Sequence, residues 1–210
     1  LNVDWELNDS YTLSFFGGRR ETDSWLANTY TGEIGPVSLF DATRQDERDT
    51  TQLEIRVASD LDGSFNFVAG AFYQEDETLF AVSQVLGFVD MTIPSAVVFG
   101  DPQFFNNNPQ VLSNGQDAEA IALYLDGTWA LNESWSLGAG VRYTDEEKEG
   151  RIEIPYVHLF LQGSFSAPPL IDGLEFADSN VSPELAINHY LSEEISVFAA
   201  YKEGFKSGGI

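Results

Sequence analysis

Few residues of this chain could do chemistry. His158 and His189 are its two histidines, and they fall on different elements. Neither belongs to an i,i+4 pair or an H-E-x-x-H run, so no metal site is expected. Asp60-Leu61-Asp62-Gly63 has the opening of a calcium loop, but Ala71 stands where such a loop needs its twelfth-position glutamate. It reads as a hairpin turn. Gly204-Phe205-Lys206-Ser207 has the tail of a phosphate loop. It lacks the glycine before the lysine and the upstream glycine, and no helix pattern follows it. The absence of cysteine removes disulfides, thiolate zinc sites and cysteine nucleophiles together. No Ser-His-Asp arrangement and no apolar-buried carboxylate pair stands out. No catalytic residue and no cofactor is therefore expected.

What remains is aromatic chemistry in two stretches. One holds Phe99, Phe104 and Phe105, followed by Asn106-Asn107-Asn108; the other holds Tyr156, His158, Phe160 and Phe165. Such rings could stack on planar groups of a ligand, or simply pack on one another.

The elements that would position them show a period of two. In residues 135–144, Trp135, Leu137, Ala139, Val141 and Tyr143 share one face. Ser136, Gly138, Gly140, Arg142 and Thr144 share the other, which is a strand signature. The same alternation marks Val3-Trp5-Leu7, Tyr11-Leu13-Phe15, Leu53-Ile55-Val57, Phe65-Phe67-Ala69-Ala71-Tyr73, Ile121-Leu123-Leu125, Leu185-Ile187 and Ile195-Val197-Ala199-Tyr201. About eight antiparallel strands are predicted. Turn formers join them at 8–10, 60–64, 131–134 and 191–194, alternating with long links near 26–47, 78–116 and 148–179.

Strict alternation of short and long links puts all tight turns at one end of an up-and-down sheet. Transmembrane barrels have this asymmetry, with long loops outside the cell. Trp5, Tyr11, Phe65, Trp129 and Trp135 lie beside the tight turns, as an interfacial girdle would. Charges crowd the other end, as in Glu75-Asp76-Glu77 and Asp145-Glu146-Glu147-Lys148-Glu149. That last run could hold divalent cations at a lipopolysaccharide surface; a solvated strand end is the simpler reading. Small inward residues (Ser136, Gly138, Gly140, Gly70) suit a wide lumen, or one filled by something else, rather than a closed eight-strand barrel.

Composition agrees. The 210 residues carry 10 Lys+Arg and 34 Asp+Glu, a net charge of −24, so nucleic acid is not an expected partner. Hydrophobic content of 43% is too high for a disordered acidic tail. The opening Leu1 and the uncapped Gly208-Gly209-Ile210 end lead us to expect a piece of a longer chain.

Three stretches resemble the barrel domain of TonB-dependent outer-membrane receptors. The run Val197-Phe198-Ala199-Ala200-Tyr201-Lys202-Glu203-Gly204-Phe205-Lys206-Ser207-Gly208-Gly209 is similar to a strand of that family. So is Gln52-Leu53-Glu54-Ile55-Arg56-Val57-Ala58-Ser59, with Phe67-Val68-Ala69-Gly70 and Phe72-Tyr73 as its hairpin partner. The third is Leu137-Gly138-Ala139-Gly140-Val141-Arg142-Tyr143-Thr144-Asp145-Glu146-Glu147-Lys148. The resemblance implies a 22-stranded barrel with a plug in its lumen, of which residues 1–210 would supply about a third without the plug. It implies a cell outer membrane location, contact with lipid and lipopolysaccharide, and energy from TonB through the absent plug. The implied cargo is a scarce nutrient, most often an iron–siderophore complex. Phe99, Phe104, Phe105, Tyr156, His158 and Phe160 are then candidate ligand contacts in extracellular loops. The competing expectations are a passive porin or structural barrel, and a soluble ligand-binding β-sandwich.

Overall fold

The computed structural model describes residues 1–30, 32, 41–85, 109–156 and 170–209. Among them are eight strands: β1 (Asn2–Asn8), β2 (Tyr11–Thr29), β3 (Asp41–Ser59), β4 (Phe65–Val85), β5 (Pro109–Asn132), β6 (Trp135–Tyr156), β7 (Leu170–Tyr190) and β8 (Ser196–Lys202). They form one antiparallel sheet in chain order, β1 to β8. β1 and β8 do not pair with each other, so the sheet is open rather than closed into a barrel.

The tight turns are closed by side chains of the expected kind. Asn8 Oδ1 accepts from Ser10 N at 2.8 Å. Asn132 Oδ1 accepts from Ser134 N and Trp135 N at 2.9 and 3.0 Å. Asn66 Oδ1 takes Leu61 N at 2.7 Å across the 60–64 turn. A short amide side chain thus satisfies backbone N–H groups that the ladder leaves free.

Register aligns the alternating faces across every strand. One row runs Phe15, Ile55, Ala71, Leu123, Tyr143, Val181; the next runs Leu13, Val57, Ala69, Leu125, Val141, Pro183. The result is a continuous apolar band on one side of the sheet. In β5 it extends from Ile121 to Leu131. Ten steps of about 3.3 Å, tilted about 45°, stand about 23 Å tall, close to the roughly 25 Å apolar belt of membrane barrels.

The two faces differ in crowding. In β6, Val141, Tyr143, Asp145, Glu147 and Glu149 are exposed, while Arg142, Thr144, Glu146 and Lys148 are half-buried. Side chains splay on a convex face and crowd on a concave one. The apolar band is therefore on the outside of the curve and the polar face on the inside. The β-sandwich alternative fails on this point. Leu53, Ile55, Val141 and Tyr143 are each more than two-fifths exposed, with no second sheet over them among the described residues. Ala42 and Ala122 are the only buried hydrophobic residues described, so the described residues form no conventional core.

Strand structure also enters the segments that the sequence pattern leaves as long links. Residues 41–47, 78–85, 109–116, 148–156 and 170–179 are all strand. Above the apolar band polar and apolar residues share both faces, as Leu79 and Ala81 on one side of β4 and Phe80 and Val82 on the other, so the period-two signal vanishes while the backbone ladder continues. Near the top of β7 the register shifts between Gly150 and Ile152 of β6, and Gly173 sits there with a φ of 68°. That is a β-bulge at a backbone angle glycine adopts without strain.

Candidate functional site

The inner wall carries the polar chemistry of the described strands. At the level of the apolar band, Tyr124 Oη donates to Glu54 Oε1, reaching across from β5 to β3. The Tyr124 ring can do so because Gly70 lies beneath it: a Cβ there would sit 2.5 Å from Cζ of the ring and 2.8 Å from the Ile55 carbonyl oxygen. Gly140 likewise lies beneath the Asp126 carboxylate. These inward glycines thus make room for cross-strand side chains, rather than simply widening the lumen. The Arg56 guanidinium sits 4.6 Å from the Phe16 ring centroid, and Arg142 sits 5.4 Å from that of Phe72. Lys202 Nζ meets Glu184 Oε2 at 2.6 Å.

Higher on the wall, Asp76 is the centre of a second network. Arg48 reaches Asp76 Oδ1 through Nε at 3.1 Å and Nη2 at 2.9 Å, and Thr50 and Gln74 also donate to that carboxylate. Burial pushes the Asp76 carboxyl up, but these donors outweigh it and hold it below its ordinary value. Farther up, Arg44 is bidentate to Asp46 at 2.7 and 2.8 Å, and these hydrogen bonds, helped by the guanidinium charge, hold Asp46 below the usual carboxylate value. On β6, Lys148 bonds Glu146 at 2.9 Å, Ser207 Oγ at 2.6 Å and the Gly208 carbonyl at 2.8 Å. The stretch after β8 therefore lies against the inner face.

The outer face above the band is acidic. Glu21, Asp49, Glu77, Asp117, Glu149 and Glu175 occupy one row across six strands. Glu75, Glu119 and Glu147 lie side by side in the row below. Arg19 is bonded to Asp49, its Nε at 3.1 Å. The excess negative charge sits largely here, outside the curve.

Of the sequence-derived ligand candidates, Phe99, Phe104, Phe105, His158 and Phe160 lie outside the described residues. Tyr156 ends β6. His189 is on the outer face at the turn end, stacked on Trp135 with ring centroids 4.0 Å apart. It belongs to the aromatic girdle with Trp5, Phe65 and Trp129, all exposed. No cluster of metal-ligating groups occurs among the described residues. The hydropathy pattern does not reveal these inner-wall networks, although Gln52, Glu54 and Arg56 at alternate positions of β3 are a usable signal.

A family model for the TonB dependent receptor-like β-barrel matches residues 1–210. The chain belongs to the TonB-dependent receptor family. Solved structures agree in fold. The ferric yersiniabactin uptake receptor FyuA from Yersinia pestis is 15% identical with a TM-score of 0.67, over 94% of this chain and 26% of that receptor. The copper transporter OprC is 13% identical with a TM-score of 0.63, over 93% of this chain and 28% of its own. The ferric citrate transporter FecA is 15% identical with a TM-score of 0.60, over 95% and 25%. This TonB-dependent receptor chain thus spans about a quarter of the length of the receptors it matches. A search of curated proteins finds no match. As a member of this family, the sheet is an outer-membrane β-barrel wall of a Gram-negative bacterium. The family is one of transport receptors rather than enzymes.

Proposed function

We propose that residues 1–210 form eight adjacent strands in the wall of a larger, plugged barrel that takes up an iron–siderophore complex using TonB. The observation that carries this reading is the sheet's two-sidedness. A lipid-facing band about one membrane thick backs onto an inner wall of hydrogen-bonded charges that only an aqueous or protein-filled lumen would solvate. A closed eight-stranded barrel would have little room inside, so the open edges of β1 and β8 are to be met by further strands. Outer-membrane lipid covers the band, and lipopolysaccharide the acidic rows above it. TonB engages a plug outside this segment. Phe99, Phe104, Phe105, Tyr156, His158 and Phe160 are proposed as extracellular contacts to the cargo. Support for iron comes from the ferric chelates named for FyuA and FecA.

The test is uptake by cells carrying or lacking the complete receptor gene. Radiolabelled ferric siderophore should enter only with the gene present, and collapse of the proton gradient should stop it. Uptake that persists after collapse assigns a passive porin instead.

A further inference from the structure

We propose that the tight-turn edge of the sheet selects phospholipids whose headgroup ends in a primary ammonium, as in phosphatidylethanolamine. Its contacts are the stacked pair Trp135 and His189 and the carboxylates of the turns. The proposal requires the lipid-facing band, and it stands apart from what the receptor takes up.

The outer face is sorted by depth. Leu125 and Val141 pair mid-band, and Trp129, Leu137 and Ile187 form a row nearer the turns. Trp135 and His189 pair in the last row before them. Beyond come the turns, where Asp9, Asp60, Asp62, Glu133, Glu193 and Glu194 are exposed and join no ion pair among the described residues. None of the ten Lys and Arg falls in those turns or on the outer face beside them.

The last row keeps polar groups to spare. The two rings stack with centroids 4.0 Å apart and planes 15° apart. His189 Nδ1 donates to the Ser134 carbonyl oxygen at 3.1 Å, because a carbonyl can only accept. Tyr190 N bonds the same carbonyl at 2.8 Å, which fixes the ring beside the turn of Glu133. β7 itself runs on into the turn of Glu193 and Glu194. In the neutral imidazole Nε2 is then an acceptor, and it meets no donor among the described residues. The exposed indoles of Trp129 and Trp135 likewise donate to no described residue. A phospholipid presents its parts in a matching order of depth. Hydrocarbon meets the band, and phosphate oxygens meet the indole N–H groups at its edge. A primary ammonium, one ethylene unit farther out, brings three N–H donors and a positive charge to Nε2 and the turn carboxylates. A glycerol headgroup instead leaves the lipid's negative charge facing those carboxylates with no cation between them. A trimethylammonium has the charge but no N–H for Nε2. The competing partner is a basic protein docked on the turns.

The experiment titrates the purified complete receptor with phosphatidylethanolamine, phosphatidylglycerol and phosphatidylcholine and reads each dissociation constant by native mass spectrometry. The wild type should hold phosphatidylethanolamine about fivefold more tightly than phosphatidylglycerol, and the gap should shrink in about 1 M salt. The triple variant Glu133→Gln, Glu193→Gln, Glu194→Gln should bring the two within about twofold of each other. His189→Phe keeps a ring on Trp135 and removes the nitrogens. It should weaken phosphatidylethanolamine by about threefold and leave phosphatidylcholine unchanged. Glu75→Gln, Glu119→Gln, Glu147→Gln removes three carboxylates at the other edge of the band and should leave the preference intact. A preference that survives the turn variant, or that the upper-edge variant removes instead, overturns the proposal. Equal affinity for all three lipids in the wild type also overturns it and leaves the turns to a basic protein. A receptor that fails to float with vesicles of any of these lipids refutes the lipid-facing band as well.

Discussion

Gly70 has no room for a methyl group. Its Cβ would meet the Tyr124 ring at 2.5 Å and the Ile55 carbonyl at 2.8 Å, and the carbonyl is backbone that cannot swing away. Gly70→Ala should therefore cost about 1–3 kcal/mol in unfolding of the complete receptor, typical of overpacking. Tyr124→Ala in that background should restore only part of the loss, since the carbonyl stays in place. Asp76 supplies a pH test at the same scale. Its native pKa lies below the ordinary carboxylate value of about 3.9, so the unfolded state binds the proton more readily. Its contribution is complete above that value and is lost as pH falls through the lower native value. Denaturation between pH 6 and pH 2, on the order of that window, should show the wild type losing more stability than Asp76→Asn. Equal losses would mean that the Arg48–Asp76 network does not favour the charged form.

At the scale of elements, the unusual feature is the row of carboxylates on neighbouring strands above the band. Directly opposed like charges in a ladder destabilise it by roughly 0.2–1 kcal/mol per pair. Glu77 faces Asp49 on one side and Asp117 on the other. Glu77→Gln should raise the unfolding midpoint at low ionic strength, and the gain should shrink in about 1 M salt, where screening acts within about 3 Å. A destabilised Glu77→Gln variant at low salt would show that the row is held together by something other than its own ladder. The upper strands were hard to read from sequence for a related reason. Polar and apolar residues share each face there, as Glu77 with Leu79 and Thr78 with Phe80, so no alternation shows. The ladder that makes them strands is a backbone property, invisible to a hydropathy pattern.

For the molecule as a whole, the outward band replaces a core. A charge placed in it meets hydrocarbon rather than a packed interior. Leu125→Arg, near mid-band, should cost about 2–4 kcal/mol in folding of the complete receptor into vesicles. Ser182→Arg, at the same depth on the inner wall, should cost far less. Equal costs would contradict the assignment of faces, which register alone determines.

Much of this was legible in residue order. Trp135-Leu137-Ala139-Val141-Tyr143 and its counterparts declared strands, Asn8, Asn66 and Asn132 sat at or beside turns that they cap, and Glu54, Arg56 and Arg142 were recognisably on the polar side. Alternation is local, and a single strand carries it. Which strand lies beside which, and in what register, is not local. Only the folded sheet brought Tyr124 over Gly70 to Glu54, set Arg48 on Asp76, and lined six carboxylates along the outside. Those contacts join residues far apart in the chain, and hydrogen-bonded register between neighbouring strands, rather than any pattern within one strand, decides them.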